Sequence, residues 1–209
     1  MSMPYRDAVT ALDRAYGGVT ELVAALTPDD LLAPTRCRGW LVADVLFHLL
    51  SDAQRALVAL HTPDPGPADT DHVSYWRSFP PGRGDDGWAN RLAAAAFGGG
   101  TAITRLWLET APAAVDAATR ADPGGFARTQ GKVLAVPDLV ATFVLEAVVH
   151  HLDMTVAFPA AAPPARAAVE LAGRTLADLA GEELPISVEV VLEATGRTSS
   201  ERPSFPLLG

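Results

Sequence analysis

One segment constrains the fold of this chain more than any other. From about Val136 to Phe158 it contains neither Lys nor Arg, and most of it is Val, Leu, Phe, Ala and Met. Proline at the second position suits the first turn of a helix, and Phe158-Pro159 marks its end. At about 100° per residue, Thr142, Glu146, His150 and Asp153 fall within roughly 80° of one another, together with Leu139. Most of the rest of the surface is apolar. A helix of that kind must be enclosed by other elements, so the chain needs further helices to surround it.

Those helices are legible. Ala8, Leu12, Tyr16, Val19, Leu22 and Val23 recur at three and four over a first helix from about Tyr5 to Leu26. Thr27-Pro28-Asp29-Asp30 opens a short helical turn, and a loop runs from Pro34 to Gly39. A second helix spans about Trp40 to His61. Residues 62–87 are rich in Pro, Gly and Asp and read as a long loop, although Asp71-His72-Val73-Ser74-Tyr75-Trp76 brings aromatics that a linker would not need. A third helix is predicted from about Trp88 to Ala118, broken or kinked at Gly98-Gly99-Gly100 and Pro112. Asp122 to Gly131 reads as loop. Pro163-Pro164 opens a fifth helix to about Leu179, with Gly181 as its stop. Ile186 to Leu192 alternates in part and is rich in β-branched residues, which predicts a strand. The expected architecture is mainly α: a four-helix bundle over residues 1–160, with a small helix, strand and tail over 161–209 packed on it.

Composition narrows the function. A net charge of −9 argues against nucleic-acid backbones and anionic membrane surfaces. No apolar run reaches the roughly 18 residues of a membrane span. The N-terminus shows no basic segment followed by an apolar one, so a cytoplasmic protein is the expectation. Cys37 is the single cysteine, so an intrachain disulfide and a cysteine-based zinc finger are both excluded. The phosphate-loop, nucleophile-elbow and H-E-x-x-H patterns are absent.

What remains is the pair of polar stripes. On the second helix Asp44, His48, Ser51 and Arg55 share a face. Glu146 and His150 lie one turn apart and point the same way. With His48 they make two nitrogens and one carboxylate, the usual protein share of an open catalytic zinc site. The alternative is that both stripes are solvated faces of amphipathic helices. Their His and Glu content, narrowness and lack of Lys favour a shared interior pocket, where a metal would relieve the cost of a buried Glu. Asp44 and Asp153 are each one turn from a proposed ligand and could orient an imidazole. His151 lies about 100° from His150 and reads as a packed or hydrogen-bonded histidine. His61 reads as solvated at a helix end, and His72 as a surface histidine. Arg36 and Arg38 flank Cys37, which makes its thiol worth testing for reactivity.

Cys37-Arg38-Gly39-Trp40-Leu41-Val42-Ala43-Asp44-Val45-Leu46-Phe47-His48-Leu49 resembles the first signature of the mycothiol-dependent maleylpyruvate isomerase family, within the wider DinB-like bundles. Glu146-Ala147-Val148-Val149-His150-His151-Leu152-Asp153 resembles the second. Thr129-Gln130-Gly131, Thr195-Gly196-Arg197 and Phe205-Pro206-Leu207-Leu208-Gly209 resemble further segments of actinobacterial members. The resemblance implies a DinB-like bundle holding a divalent metal, commonly zinc, on His48, Glu146 and His150. It also implies mycothiol or a similar thiol as cosubstrate, and isomerase or S-transferase chemistry on a small electrophile. Leu41 departs from the Thr or Ser often found after the Trp, where it would cap the helix. The isomerase draws a functional arginine from its C-terminal region, for which Arg197 is the candidate here. The expected partners are a small-molecule substrate and a thiol, with no nucleic acid and no membrane; a homodimer is left open. A non-catalytic bundle that binds a metal or small ligand is the alternative reading.

Overall fold

The computed structural model describes residues 4–80 and 87–208; residues 81–86 of the expected long loop, the first three residues and Gly209 lie outside it. Four long helices build the bundle: α1 (Tyr5–Ala24), α2 (Val42–His61), α5 (Gly100–Arg120) and α6 (Val136–Thr155). A single 3-10 turn, Asp30–Leu32, links α1 to the loop before α2. The segment predicted to be enclosed is enclosed. Val140, Ala141, Phe143, Val144, Ala147 and Val148 of α6 are all 0% exposed. Each large apolar side chain so buried contributes roughly 1.5–3 kcal/mol relative to exposure. α1 lies along α6 and also packs on α5 and α7, with Ala8, Leu12, Ala15 and Val19 buried on its inner face. Across the bundle, Trp107 of α5 packs on Tyr16 at 5.1 Å and donates its indole N–H to Thr20 Oγ1 at 3.0 Å.

The third predicted helix is two helices. α4 (Gly87–Ala96) ends where Gly98 and Gly99 take φ values of 97° and 88°, and α5 starts at Gly100. A Cβ on Gly100 would lie 2.5 Å from Leu31 Cδ1, so the break seats α5 against the 3-10 turn. Pro112 stays inside α5 without ending it. The long loop holds two short elements, β1 (Pro63–Asp64) and α3 (His72–Trp76). Asp71 starts α3, its Oδ1 accepting from the amides of Val73 at 3.1 Å and Ser74 at 2.6 Å.

Two expectations fail. The stretch from Asp122 to Gly131 is not all loop: β2 (Phe126–Thr129) and β3 (Lys132–Ala135) form an antiparallel hairpin, and β1 pairs with the other edge of β2. The turn between them is Gln130-Gly131, both at positive φ, and Gln130 is an uncommon residue there. The predicted strand Ile186–Leu192 is a helix, α8 (Val188–Ala194). Ser187 caps it through an Oγ that accepts from the Val190 amide at 3.3 Å, and Val190, Val191 and Ala194 turn inward at helical spacing. The cap and packing override the β-branched preference. α7 (Arg166–Ala180) lies on α1, α6 and α8, with Leu171, Ala172 and Leu176 fully buried.

Candidate metal centre and its cleft

His48 comes from the middle of α2, and Glu146 and His150 from consecutive turns of α6. Their ligand-type atoms lie within 4.8 Å of one another. His48 Nε2 is 3.3 Å from Glu146 Oε2, and His150 Nε2 is 3.1 Å from the same oxygen. Burial would raise the Glu146 carboxyl, but hydrogen bonds from His150 and then His48 hold it well below the usual carboxylate range. The imidazole rings stand 4.8 Å apart at 77°, and the Trp40 indole lies nearly parallel to His150.

The far side of His150 is held by a second cluster. Its Nδ1–H donates to Asp153 Oδ2 at 2.9 Å. Asp153 is 0% exposed, and the same oxygen also accepts from Cys37 Sγ–H at 3.0 Å and Arg197 Nη2 at 3.1 Å. Arg197 Nε reaches the other oxygen at 3.1 Å, and Nη1 donates to the Thr195 carbonyl at 2.7 Å. Burial opposes ionisation of Asp153, yet His150 and Arg197 together drive its carboxyl far down. Burial likewise favours a neutral His150, and the hydrogen bond to Asp153 outweighs it, raising that ring well above its ordinary value. The arrangement fixes which nitrogen of His150 faces the trio, as carboxylate–histidine pairs do in metal sites. A second group of possible donors, Cys37, His150 and Asp153, also converges, but the Arg197 guanidinium already lies against its carboxylate and sulfur.

The other sequence-predicted positions divide. Asp44 does not orient His48; its Oδ2 accepts the Leu41 amide at 2.8 Å and so caps α2 from the third position, which compensates for leucine at the cap. His151 faces away from the trio, into α1, where a Cβ on Gly18 would come within 3.0 Å of its ring. Its Nε2 donates to the Ala162 carbonyl at 3.1 Å. His61 is exposed at the end of α2. His72 is not on the surface: it is 5% exposed, with Nδ1 donating to Asp138 of α6 at 2.8 Å and Nε2 lying 3.6 Å from Asp178 of α7.

The trio opens on a cleft of about 610 Å³. One of its walls, Asp52, stands outside the stripe that the sequence marks on α2. Asp52, one turn beyond His48, places Oδ2 4.0 Å from His48 Nε2. Burial and then the Glu146 charge push the Asp52 carboxyl up, against the pull of His48 and Arg55. Arg55 bonds Asp52 Oδ1 at 2.9 Å, reaches Tyr75 Oη and Thr129 Oγ1 at 3.3 Å each, and lies 4.7 Å over the Phe143 ring. Tyr75 donates to Gln130 Oε1 at 2.7 Å, and burial helps push its phenol up to about 12. The signal for Asp52 is its spacing of four from His48; the aromatic segment Asp71–Trp76 supplies Tyr75 and Trp76 from a short helix, and Gln130 comes from a turn, neither of which periodicity places.

A family model described as the mycothiol maleylpyruvate isomerase N-terminal domain matches residues 12–155. The chain belongs to that family. The crystal structure of a histidine-to-alanine mutant of the mycothiol-dependent maleylpyruvate isomerase is similar at a TM-score of 0.61, with 15% identity, over 94% of this chain and 91% of that one. That likeness carries the DinB-like fold of the isomerase family. Comparison with curated proteins finds no match. His48, Glu146, His150 and Asp153 all fall inside the span matched by the family model, whereas Arg197 lies beyond it.

Proposed function

We propose that this protein is a divalent-metal-dependent enzyme that activates a low-molecular-weight thiol, mycothiol or a similar one, for isomerase or S-transferase chemistry on a small electrophile. The observation that carries the reading is the convergence of His48, Glu146 and His150 on one edge of the cleft. Two imidazole nitrogens and one carboxylate suit zinc, and three protein donors leave positions open for a ligand. A bound divalent ion would supply the charge that lowers a thiol's pKa and holds it as thiolate. The chain's own residues would do the rest. Asp153 keeps the Nδ1 proton of His150 in place, and Arg197 neutralises Asp153. Trp40 stands against both imidazoles and would fix their orientation from that side. The bundle over residues 1–160 would supply the metal ligands, and residues 161–209 would close one side of the cleft through Thr195, Gly196, Arg197 and Leu208.

No described helix is long and apolar enough to cross a membrane. We place the protein in the cytoplasm, where a reducing environment would keep both Cys37 and the cosubstrate as thiols.

The test is metal content followed by thiol consumption. Purified protein supplied with zinc should hold about one ion per chain, and a His48→Ala, His150→Ala double variant should hold none. With mycothiol and a panel of small electrophiles, the loaded protein should consume thiol and the double variant should not. Full metal retention by the variant would overturn the ligand assignment; metal binding without turnover across the panel would favour a binding protein.

A further inference from the structure

α4 is amphipathic in the reverse sense. Its two polar side chains both turn inward: Asn90 Nδ2 donates to the Asp44 carbonyl at 2.9 Å, and Arg91 Nη1 donates to the Gly39 carbonyl at 3.0 Å. They share the inward arc with Gly87 and Ala94, which are buried. At about 100° per residue, Trp88, Ala89, Leu92, Ala93, Ala95 and Ala96 fall on the opposite arc, and all of them are exposed. Trp88 is 63% exposed and Leu92 54%, and Phe97, next along the chain, is 37%. A surface helix ordinarily turns its apolar stripe to the core and its charges to water. Charged residues make up 20% of this chain, yet the outer face of α4 carries none.

Charge argues against a lipid surface as the cover. A helix that lies on a membrane sets Lys and Arg on its polar side among the headgroups, whereas Arg91 is engaged by the Gly39 carbonyl and the chain has a net charge of −9. Area fits a second copy. The exposed parts of Trp88, Leu92, Phe97 and the outward alanines amount to on the order of 500 Å². Two such faces together would bury roughly 1,000 Å², the area at which specific association begins. The face is also its own complement. With two copies antiparallel about an axis through Leu92, Trp88 lies over the partner's Ala96, large on small, and Leu92 meets the partner's Leu92. Acidic copies repel one another, so a surface they share should lack carboxylates, and residues 87–100 contain none.

We propose that the outer face of α4 is a homodimer interface, in which a second copy of this chain covers Trp88, Leu92 and Phe97 through a twofold, antiparallel pairing of the two α4 helices. The inward bonds of Asn90 and Arg91 hold α4 on the start of α2 and on the loop before it, so the face is a fixed platform. The pairing uses none of His48, Glu146 and His150, and it stands whether or not thiol chemistry is found.

The experiment is sedimentation velocity on the full chain from about 1 to about 300 µM, the range suited to an interface at the small end of the specific class. The parent should pass from monomer to dimer across it. Leu92→Glu and Leu92→Lys each set like charges against one another on the twofold axis, and each should weaken association about tenfold or more. Mixed in equal amounts, the two variants should pair again, because opposite charges then meet; that rescue requires position 92 to face position 92 of the partner. Leu92 is exposed, so both variants should keep the parent's far-ultraviolet ellipticity and melting midpoint. A parent that stays monomeric throughout overturns the proposal, and so does one that stays monomeric and binds neutral phosphatidylcholine vesicles, where the face would meet lipid. A dimer that Leu92→Glu leaves at parental strength lies on another face and overturns it too. A mixture of the two charged variants that stays monomeric refutes the twofold pairing.

Discussion

Asp153 shows how much one side chain can decide. It is fully buried, and three donors from three parts of the chain meet on a single one of its oxygens: His150, Cys37 and Arg197. Replacing it by Asn removes the charge that Arg197 and His150 share. Zinc affinity, measured against a chromophoric chelator, should then fall roughly 10- to 100-fold, as for other lost partners of metal-binding histidines. Stability should drop as well, by up to roughly 3–5 kcal/mol, because the Arg197 guanidinium is left uncompensated. An Asp153→Asn protein that binds zinc within twofold of its parent would refute the orienting role. At this scale the sequence was informative where spacing spoke. His48, Glu146, His150 and Asp153 share helical faces, and the structure brings them together. Asp44 shares a face with His48 just as well, yet its place in the first turn of α2 gives it a nearer partner, the Leu41 amide. Asp52 satisfies the same rule on the other side of His48, although the polar stripe of α2 runs through Ser51 and Arg55 at three and seven. Arg197 is brought to Asp153 by tertiary packing, which no local pattern encodes.

Short elements set the walls of the site. α3 is one turn and a half long and would not persist alone. Asp71 caps it, and His72 pins it to α6 and α7 through Asp138 and Asp178. Burial favours the neutral ring, but the Asp138 hydrogen bond and the Asp138, Asp71 and Asp178 charges win, so the folded-state pKa of His72 is raised. A raised value means that protonation favours the folded state. The contribution is complete below the unfolded value of about 6.5 and fades as pH rises through the folded one. Denaturant midpoints across pH 6 to 8 should therefore show the parent losing stability relative to His72→Gln as pH increases. A constant difference over that range would exclude the latch. The long helices were legible because 3.6-residue periodicity over twenty residues is a strong signal. The hairpin was not, since Gln-Gly lacks the usual Asn-Gly mark of such a turn. α8 reads as a strand because seven residues are too few for period to outvote β-branched composition.

At the scale of the whole molecule, the buried apolar residues of the described chain join in one cluster that runs from α1 to the C-terminal tail. The expected division into a bundle over 1–160 and an addition over 161–209 puts every proposed ligand on one side, yet Leu171 and Leu176 of α7 are as fully buried as Leu12 of α1 or Leu46 of α2. Unfolding should accordingly be a single cooperative transition, with far-ultraviolet ellipticity and tryptophan fluorescence giving coincident midpoints. Two separate transitions would make residues 161–209 an independently melting unit. α6 lies at the middle of that core, and its burial reaches beyond stability. A substitution on it is felt by every neighbouring helix at once, so there is little room for gradual change around Glu146 and His150. Much of the cleft's remaining wall comes from α3, a two-residue turn and the C-terminal tail, elements that can be altered one at a time. Such a molecule separates what must stay from what can vary: new ligand preferences would arise by exchanging walls around an unaltered centre.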